Sequence, residues 1–173
     1  MEFVLLVDEQ DNELGVMEKM QAHEEALLHR AISVFIFNSG GELLLQRRAA
    51  VKYHSAMLWT NACCTHPRPE EPMAAAAKRR LVEEMNISCD LVHQFSFIYH
   101  AQLDNGLTEH ELDHVFFGYT DQEPIPNPDE VADWKYISMA ELTADITSNP
   151  DQYTEWFKLI FDRIKQENNE RFD

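Results

Sequence analysis

Cationic side chains are scarce in this chain: 14 Lys and Arg stand against 31 Asp and Glu, a formal net charge of −17 over 173 residues. That balance excludes an ordinary nucleic-acid binder, which carries a basic face, and disfavours docking on an anionic membrane. Cysteine is sparse too, three residues with no regular framework, which excludes a disulfide scaffold and suits a reducing compartment. No apolar run approaches the length that spans a bilayer. The one near the start, Phe3–Val7, is shorter than the core of a signal peptide. Repeats and low-complexity tracts are missing as well, so a cytoplasmic protein is expected. What is present is ordinary globular composition, 45% hydrophobic and 26% charged, and enough length for one domain with a substantial core. Such an acidic protein still holds an anionic ligand where a few Lys, Arg or metal ions gather.

Patterning predicts one α+β domain, a mixed sheet covered by helices. Phe3–Val7 reads as a strand, 8–15 as a turn, and a short second strand lies near Val16, with one or two helical turns over 19–28. Residues 30–38 alternate into a buried strand, and Asn38-Ser39-Gly40-Gly41 punctuates a hairpin into 42–47. Residues 49–72 read as one long irregular segment, a length that usually carries function. Met73–Met85 is helical by propensity. Strands over 90–103 and 108–120 flank Asp104-Asn105-Gly106, a hairpin signal, and 123–128 holds three prolines and reads as a loop. A strand near 134–137 precedes Ser138 and Glu141, a capping-box spacing. Asn149 is read as the cap of a last helix with Pro150 at its first position, followed by Tyr153, Trp156, Phe157, Ile160, Phe161 and Ile164 at helical spacing.

Three segments carry chemistry. The irregular one holds Asn61-Ala62-Cys63-Cys64-Thr65-His66, the helix Arg79-Arg80-Leu81-Val82-Glu83-Glu84, and a strand Glu109-His110-Glu111. A thiol, imidazoles and carboxylates together build metal sites with proton-transfer groups beside them. Glu83 and Glu84 each follow an Arg by four residues; as surface ion pairs they contribute only ~0.3–0.5 kcal/mol each. Glu109 and Glu111 share one strand face, as chelation requires, or belong with Asp113 to a solvated face. A structural zinc on Cys63, Cys64 and His66 is disfavoured, because adjacent cysteines chelate one ion poorly and no Cys-x-x-Cys partner exists. Cys63 and Cys89 read as buried apolar thiols, and His54, His93, His100, His110 and His114 as surface or satisfied histidines. If Leu103 faces Leu107 across a three-residue turn, Tyr99 falls opposite Glu111. A two-residue turn sends Tyr99 to the other face.

Glu71 precedes Arg79 by eight residues, and Leu81 and Ile87 add apolar positions. Residues 65–87 thereby resemble the Nudix box: Gly, five residues, Glu, seven residues, then Arg-Glu-apolar-any-Glu-Glu-any-Gly-apolar. Thr65 stands at the first Gly, Arg80 at the Glu after Arg79, and Asn86 at the second Gly. In Nudix hydrolases the box glutamates hold Mg2+ on a diphosphate. An Arg cannot ligate a metal but binds phosphate, so the change implies a diphosphate that is bound and not cut. Glu18-Lys19, His23, His29, Gln46-Arg47-Arg48, Lys52, the run from Trp59 to His66, Tyr99, Glu109-His110-Glu111 and Trp156 extend the likeness. The chain resembles the type I isopentenyl diphosphate isomerases across residues 1–173, a single Nudix-like mixed β-sheet sandwiched by helices.

The resemblance implies one divalent ion, Mn2+, Mg2+ or Zn2+, on His23, His29, His66, Glu109 and Glu111. It implies a second, Mg2+, between the diphosphate, Glu84 and a backbone carbonyl at Cys64. Lys19, Arg48, Lys52 and Arg80 become diphosphate partners. The resemblance also selects Cys64 over Cys63, since the family's register puts the reactive thiol two residues before His66 and five after Trp59. Isopentenyl diphosphate would be protonated by Glu111 with help from Tyr99 and deprotonated by Cys64, while Trp156 steadies the cation by a cation–π contact of ~2 kcal/mol. The N-terminal segment and residues 49–61 are candidate lids that exclude water. The expected partner is a small-molecule diphosphate, with no nucleic acid or membrane and a monomeric or weakly dimeric chain. One rival is a Nudix pyrophosphohydrolase acting on a nucleoside or other diphosphate, which would keep Glu at position 80 and has no use for Cys64. A second is a non-catalytic metal- or phosphate-binding module.

Overall fold

The structure is a computed structural model and describes residues 1–169. Nine strands form one mixed sheet among these residues: β1 (Phe3–Val7), β2 (Glu13–Glu18), β3 (His29–Phe37), β4 (Leu43–Arg48), β5 (Trp59–Thr60), β6 (Cys63–Thr65), β7 (Leu91–Gln102), β8 (Thr108–Tyr119) and β9 (Val131–Ile137). The helices are α1 (Lys19–Glu24), α2 (Met73–Met85), α3 (Met139–Ser148) and α4 (Glu155–Asn169). No helix among the described residues is long and apolar enough to cross a membrane.

β3 is the hub. It runs parallel to β8, antiparallel to β6, and meets β1 and β4 at its ends. Its nearly continuous apolar sequence is what a strand needs when both faces are covered. Ile32, Val34 and Ile36 pack toward Ala76, Ala77, Leu81 and Met85 of α2. Phe35 and Phe37 pack the other way, with Val115, Phe117 and the apolar stripe of α4. Each fully buried Leu, Ile or Phe contributes about 1.5–3 kcal/mol. α2 ends where Asn86 turns left-handed, φ 53°, the conformation a Gly takes at such a cap and one that Asn tolerates. Ser138 and Glu141 cap α3 reciprocally, as expected.

Two expectations need correction. Residues 49–72 are not wholly irregular, because β5 pairs with β4 and β6 with β3. The last helix does not begin at Pro150. Pro150–Gln152 makes a separate 3-10 turn, Tyr153 bridges to Trp59, and Thr154 N–H donates to the Trp59 carbonyl, so α4 starts only at Glu155.

Candidate active site

Four elements bring imidazoles and a carboxylate to one point. His23 comes from α1, His29 opens β3, His66 follows β6, and Glu111 lies on β8 directly beside His29 in the parallel register. One donor atom from each lies within 4.8 Å of the others. His23 Nδ1 is 2.7 Å from the Lys19 carbonyl and His29 Nδ1 2.8 Å from that of Leu27. A carbonyl only accepts, so those nitrogens carry the protons and each Nε2 is bare. Both Nε2 atoms are buried without a hydrogen-bond partner. Orphaned imidazole nitrogens facing a carboxylate fit a divalent ion, and the backbone carbonyls behind them fix the tautomer as supporting shells of metal sites do.

Glu111 Oε1 lies 3.0 Å from His66 Nε2 and 3.4 Å from His29 Nε2, the latter outside hydrogen-bond geometry. Glu109, the fifth expected ligand, stands on the same face but outside the 4.8 Å group. Its Oε1 is 3.8 Å from His54 Nε2 and its Oε2 accepts the Tyr99 hydroxyl at 3.0 Å. The turn register is the three-residue one: Leu103 N–H donates to the Leu107 carbonyl, and Tyr99 sits opposite Glu111, to which its hydroxyl also donates at 2.6 Å. The solvated-face alternative fails, since Glu109, Glu111 and Asp113 are 6%, 5% and 1% exposed. Burial and the neighbouring Glu111 charge push Glu109 well above the usual carboxylate range. Burial acts on Glu111 in the same sense, but His29 and His66 outweigh it and hold it well below. His66 is driven down to about 4 by burial.

Adjacent cysteines on β6 point to opposite sides of the sheet. Cys63 enters the core against α2, while Cys64 turns toward the other face. Cys64 Sγ accepts from Asn61 Nδ2 at 3.3 Å and lies 3.5 Å from Ser33 Oγ, which donates to Asp113 Oδ2 at 2.6 Å. Burial, then the charges of Asp113 and Glu111, push the thiol up, so Cys64 keeps its proton at neutral pH. Sequence reasoning missed Asn61 and Ser33 as supports of the sulfur. Asp113 carried a signal, the next same-face acid after Glu109 and Glu111.

At the other end of the site the charges are already paired. Arg79 holds Glu71 through two hydrogen bonds of 2.7 and 2.9 Å. Arg80 reaches Glu83 at 2.9 Å and Glu84 at 2.5 Å, with Glu130 at 3.3 Å. Lys52 also pairs with Glu130, Gln46 Nε2 donates to Glu84 Oε2 at 2.6 Å, and Lys19 Nζ donates to Glu2 at 2.8 Å. The Arg48 guanidinium lies 5.3 Å from the centre of the Trp156 ring. Trp156 is both core and wall, 4% exposed yet facing the cavity. His54, read as an ordinary histidine, is buried beside Trp156 and lines the same space. Burial drives it down to about 3.

One cavity of about 760 Å³ joins both ends. Cys64, His66, Tyr99, Glu109, Glu111 and Trp156 line it together with Lys19, Arg48, Lys52, Arg80 and Glu84. Of the expected site residues, only His23 and His29 stand off its wall, behind Glu111. Both expected lids contribute, through Met1, Glu2 and Phe3 and through Tyr53 and His54.

A NUDIX domain model matches residues 27–157. The chain is 56% identical over 161 residues to "Isopentenyl-diphosphate Delta-isomerase 1" of Aromatoleum aromaticum, covering 93% of this chain and 91% of that one. It is 52% identical over 171 residues to "Isopentenyl-diphosphate Delta-isomerase 2" of Photorhabdus laumondii, covering 99% and 97%. Among solved structures it is similar to DR0079 from Deinococcus radiodurans, with a TM-score of 0.74 at 21% identity over 92% of this chain and 97% of that one. The MutT protein of Methanosarcina mazei gives 0.66 at 20% identity, covering 82% and 95%. At such identities these two speak for the fold alone.

Proposed function

The chain belongs to the isopentenyl-diphosphate Delta-isomerases, on the NUDIX fold, and from that premise we infer how its residues interconvert isopentenyl diphosphate and dimethylallyl diphosphate. One observation carries the reading: a single cavity lined by Cys64, Tyr99, Glu109, Glu111 and Trp156 and also by Lys19, Arg48, Lys52 and Arg80. The diphosphate lies among the four cations; Lys19, Lys52 and Arg80 exchange their present carboxylate partners for phosphate oxygens, and Arg48, held by the His54 carbonyl, adds a fourth charge. Arg at position 80 suits this task, since its guanidinium forks onto phosphate and holds no metal. The five-carbon tail then reaches between Cys64 on one side and Glu111 and Tyr99 on the other.

His23, His29, His66 and Glu111, with Glu109 beside them, would hold a divalent ion, and Glu84 with the Cys64 backbone carbonyl would take Mg2+. Bound there, such ions supply positive charge that fixes the carboxylates and offsets the diphosphate. From isopentenyl diphosphate, Glu111, assisted by the Tyr99 hydroxyl, gives a proton to the terminal methylene carbon, leaving a cation at the tertiary carbon. Trp156 faces that charge with its ring. Cys64, as thiolate, removes a proton from the neighbouring methylene, whose C–H electrons become the new double bond. Each forward turnover leaves Cys64 protonated and Glu111 ionised, the state of the free protein, so Cys64 gives up one proton to solvent and Glu111 takes one from it before the next forward turnover. The free-protein state is loaded for the return reaction, in which Cys64 gives and Glu111 takes.

The reading includes a cytoplasmic, monomeric or weakly dimeric protein with no nucleic-acid or membrane partner. Incubation with isopentenyl diphosphate and Mg2+ is expected to yield dimethylallyl diphosphate, followed by NMR. Release of phosphate without an allylic product would overturn it in favour of a pyrophosphohydrolase.

A further inference from the structure

A second group of metal-seeking atoms lies on the far face of the β7–β8 hairpin. Ser96 and His114 are cross-strand partners, three residues from Tyr99 and Glu111 respectively, and therefore point away from the cavity. His93 belongs on the cavity side by simple alternation. A bulge between His93 and Phe95 turns it over, so that its Nε2 lies 3.1 Å from Ser96 Oγ and 3.3 Å from His114 Nδ1. Ser96 Oγ is 2.8 Å from the same His114 Nδ1. Three potential ligand atoms thus make a triangle with edges of 2.8, 3.1 and 3.3 Å.

Those lengths match coordination. Metal–imidazole bonds at the tetrahedral angle hold their nitrogens about 3.3 Å apart. The supporting contacts match as well. His114 Nε2 lies 3.0 Å from Asp11 Oδ2, in a contact bent away from ordinary hydrogen-bond geometry. With the Ser96 hydroxyl donating to it at 2.8 Å, Nδ1 carries no proton, and the ring proton on Nε2 faces Asp11. Arg30 fixes Asp11, its Nε donating to Oδ1 at 2.8 Å and its Nη2 to the Asp11 carbonyl at 2.9 Å. Carboxylate behind imidazole, with the far nitrogen free of a proton, is the order found around metal-ligating histidines. His114 is 5% exposed, while His93 and Ser96 open to solvent. The order of hydroxyl, imidazole and carboxylate also occurs in hydrolytic triads, but Ser96 lines neither described cavity.

We propose that His93 Nε2 and His114 Nδ1 chelate a borderline divalent ion, Zn2+, Cu2+ or Ni2+, with Ser96 Oγ or water completing the site. Imidazole pairs favour these ions over Mg2+ or Mn2+. The bound ion clips the β7 bulge to β8. Through Asp11 and Arg30 it also ties in the turn of the β1–β2 hairpin, whose other end lines the cavity.

Equilibrium dialysis against Zn2+, followed by metal quantification, tests the site in three full-length proteins: the unaltered chain, His93→Ala, and His100→Ala. His100 faces His110 on the same hairpin, ring centres 5.2 Å apart, and serves as the control pair. The His93→Ala protein is expected to hold one equivalent fewer than the unaltered chain, while His100→Ala holds the full number. Isomerisation of isopentenyl diphosphate is expected to persist in all three. Equal Zn2+ in the unaltered and His93→Ala proteins, or an equal loss in His100→Ala, overturns the proposal. Circular dichroism of His93→Ala distinguishes loss of a ligand from loss of fold, and His93→Gln, also expected to hold one equivalent fewer, repeats the test if that variant unfolds.

Discussion

At one end of the cavity, His23 and His29 bury ring nitrogens that bond to nothing. At the other, Glu71, Glu83, Glu84 and Glu130 have each found an Arg or Lys. Both ends are rich in charge, yet only one is complete by itself. Buried polar atoms without partners cost on the order of 1–3 kcal/mol each, so the histidine end gains by taking an ion. The arginine end is neutralised internally, and an anion enters it only by displacing carboxylates already in place. On the proposed function, the first end would take an ion and the second would exchange its carboxylates for phosphate.

The hardest test falls on the wall between the two ends. Cys64→Ser is expected to cut turnover by ~10²–10⁴-fold, the usual worth of a proton-transfer group, with the circular dichroism spectrum unchanged. Cys63→Ala, one residue away and facing the α2 core, should keep most activity. A Cys64→Ser enzyme that turns over normally removes the sulfur from the mechanism.

Next is the incomplete end. His29→Ala is expected to weaken binding of the histidine-site ion by more than ~100-fold, the upper range for losing even a supporting partner. Titration calorimetry with Mn2+ reads this directly. Equal affinity in the variant would mean the ion sits elsewhere.

At the self-paired end, Glu84→Gln is expected to raise the Mg2+ midpoint of the reaction about tenfold, or ~1.4 kcal/mol, without moving the histidine-site titration. An unchanged Mg2+ curve rules out Glu84 as its ligand.

The smallest effect separates the ends by pH. Buried His66 and His54 are held down at about 4 and about 3, against ~6.5 for an unfolded histidine. Between those values the unfolded chain binds protons that the folded one refuses, so stability is present above pH ~6.5 and lost as the pH falls. The arginine end holds Glu71 and Glu130 below their ordinary values, so its contribution disappears only below pH ~4.5. The buried Glu84, Glu109 and Asp113 carboxyls are pushed up and act on overall stability in the opposite sense, so the rings are read directly: NMR titration of the metal-free protein should find His66 and His54 still neutral at pH 5. Protonation of both rings above pH 6 would contradict the histidine half.

Much of this was legible in the residues. The α2 helix followed from propensity, whereas counting across Asp104–Gly106 left two registers for Tyr99, of which the three-residue turn is the one that forms. Cys64 over Cys63 came from register with Trp59 and His66, and the opposite orientations on β6 agree with it. β5 and β6 were illegible because strands of two and three residues show no periodicity; only β4 and β3 make them strands. The start of α4 was misplaced because Tyr153 and Thr154, though in helical spacing, are used by the sheet edge at Trp59. His54 had no local signature at all. Its importance comes from Glu109 and Trp156, each more than fifty residues away along the chain.

The small turn at Asp104–Gly106 has a consequence for how this sequence can drift. Its side chains tie down the neighbouring segment, Asp104 accepting from the Ser55 N–H and Asn105 donating to the Tyr53 carbonyl, and their number is not negotiable. Deleting one would rotate the whole of β8 by half a pleat, presenting His110, Leu112 and His114 where Glu109, Glu111 and Asp113 now stand. Length changes there should be lethal to catalysis, although nothing at that tip touches a reacting atom.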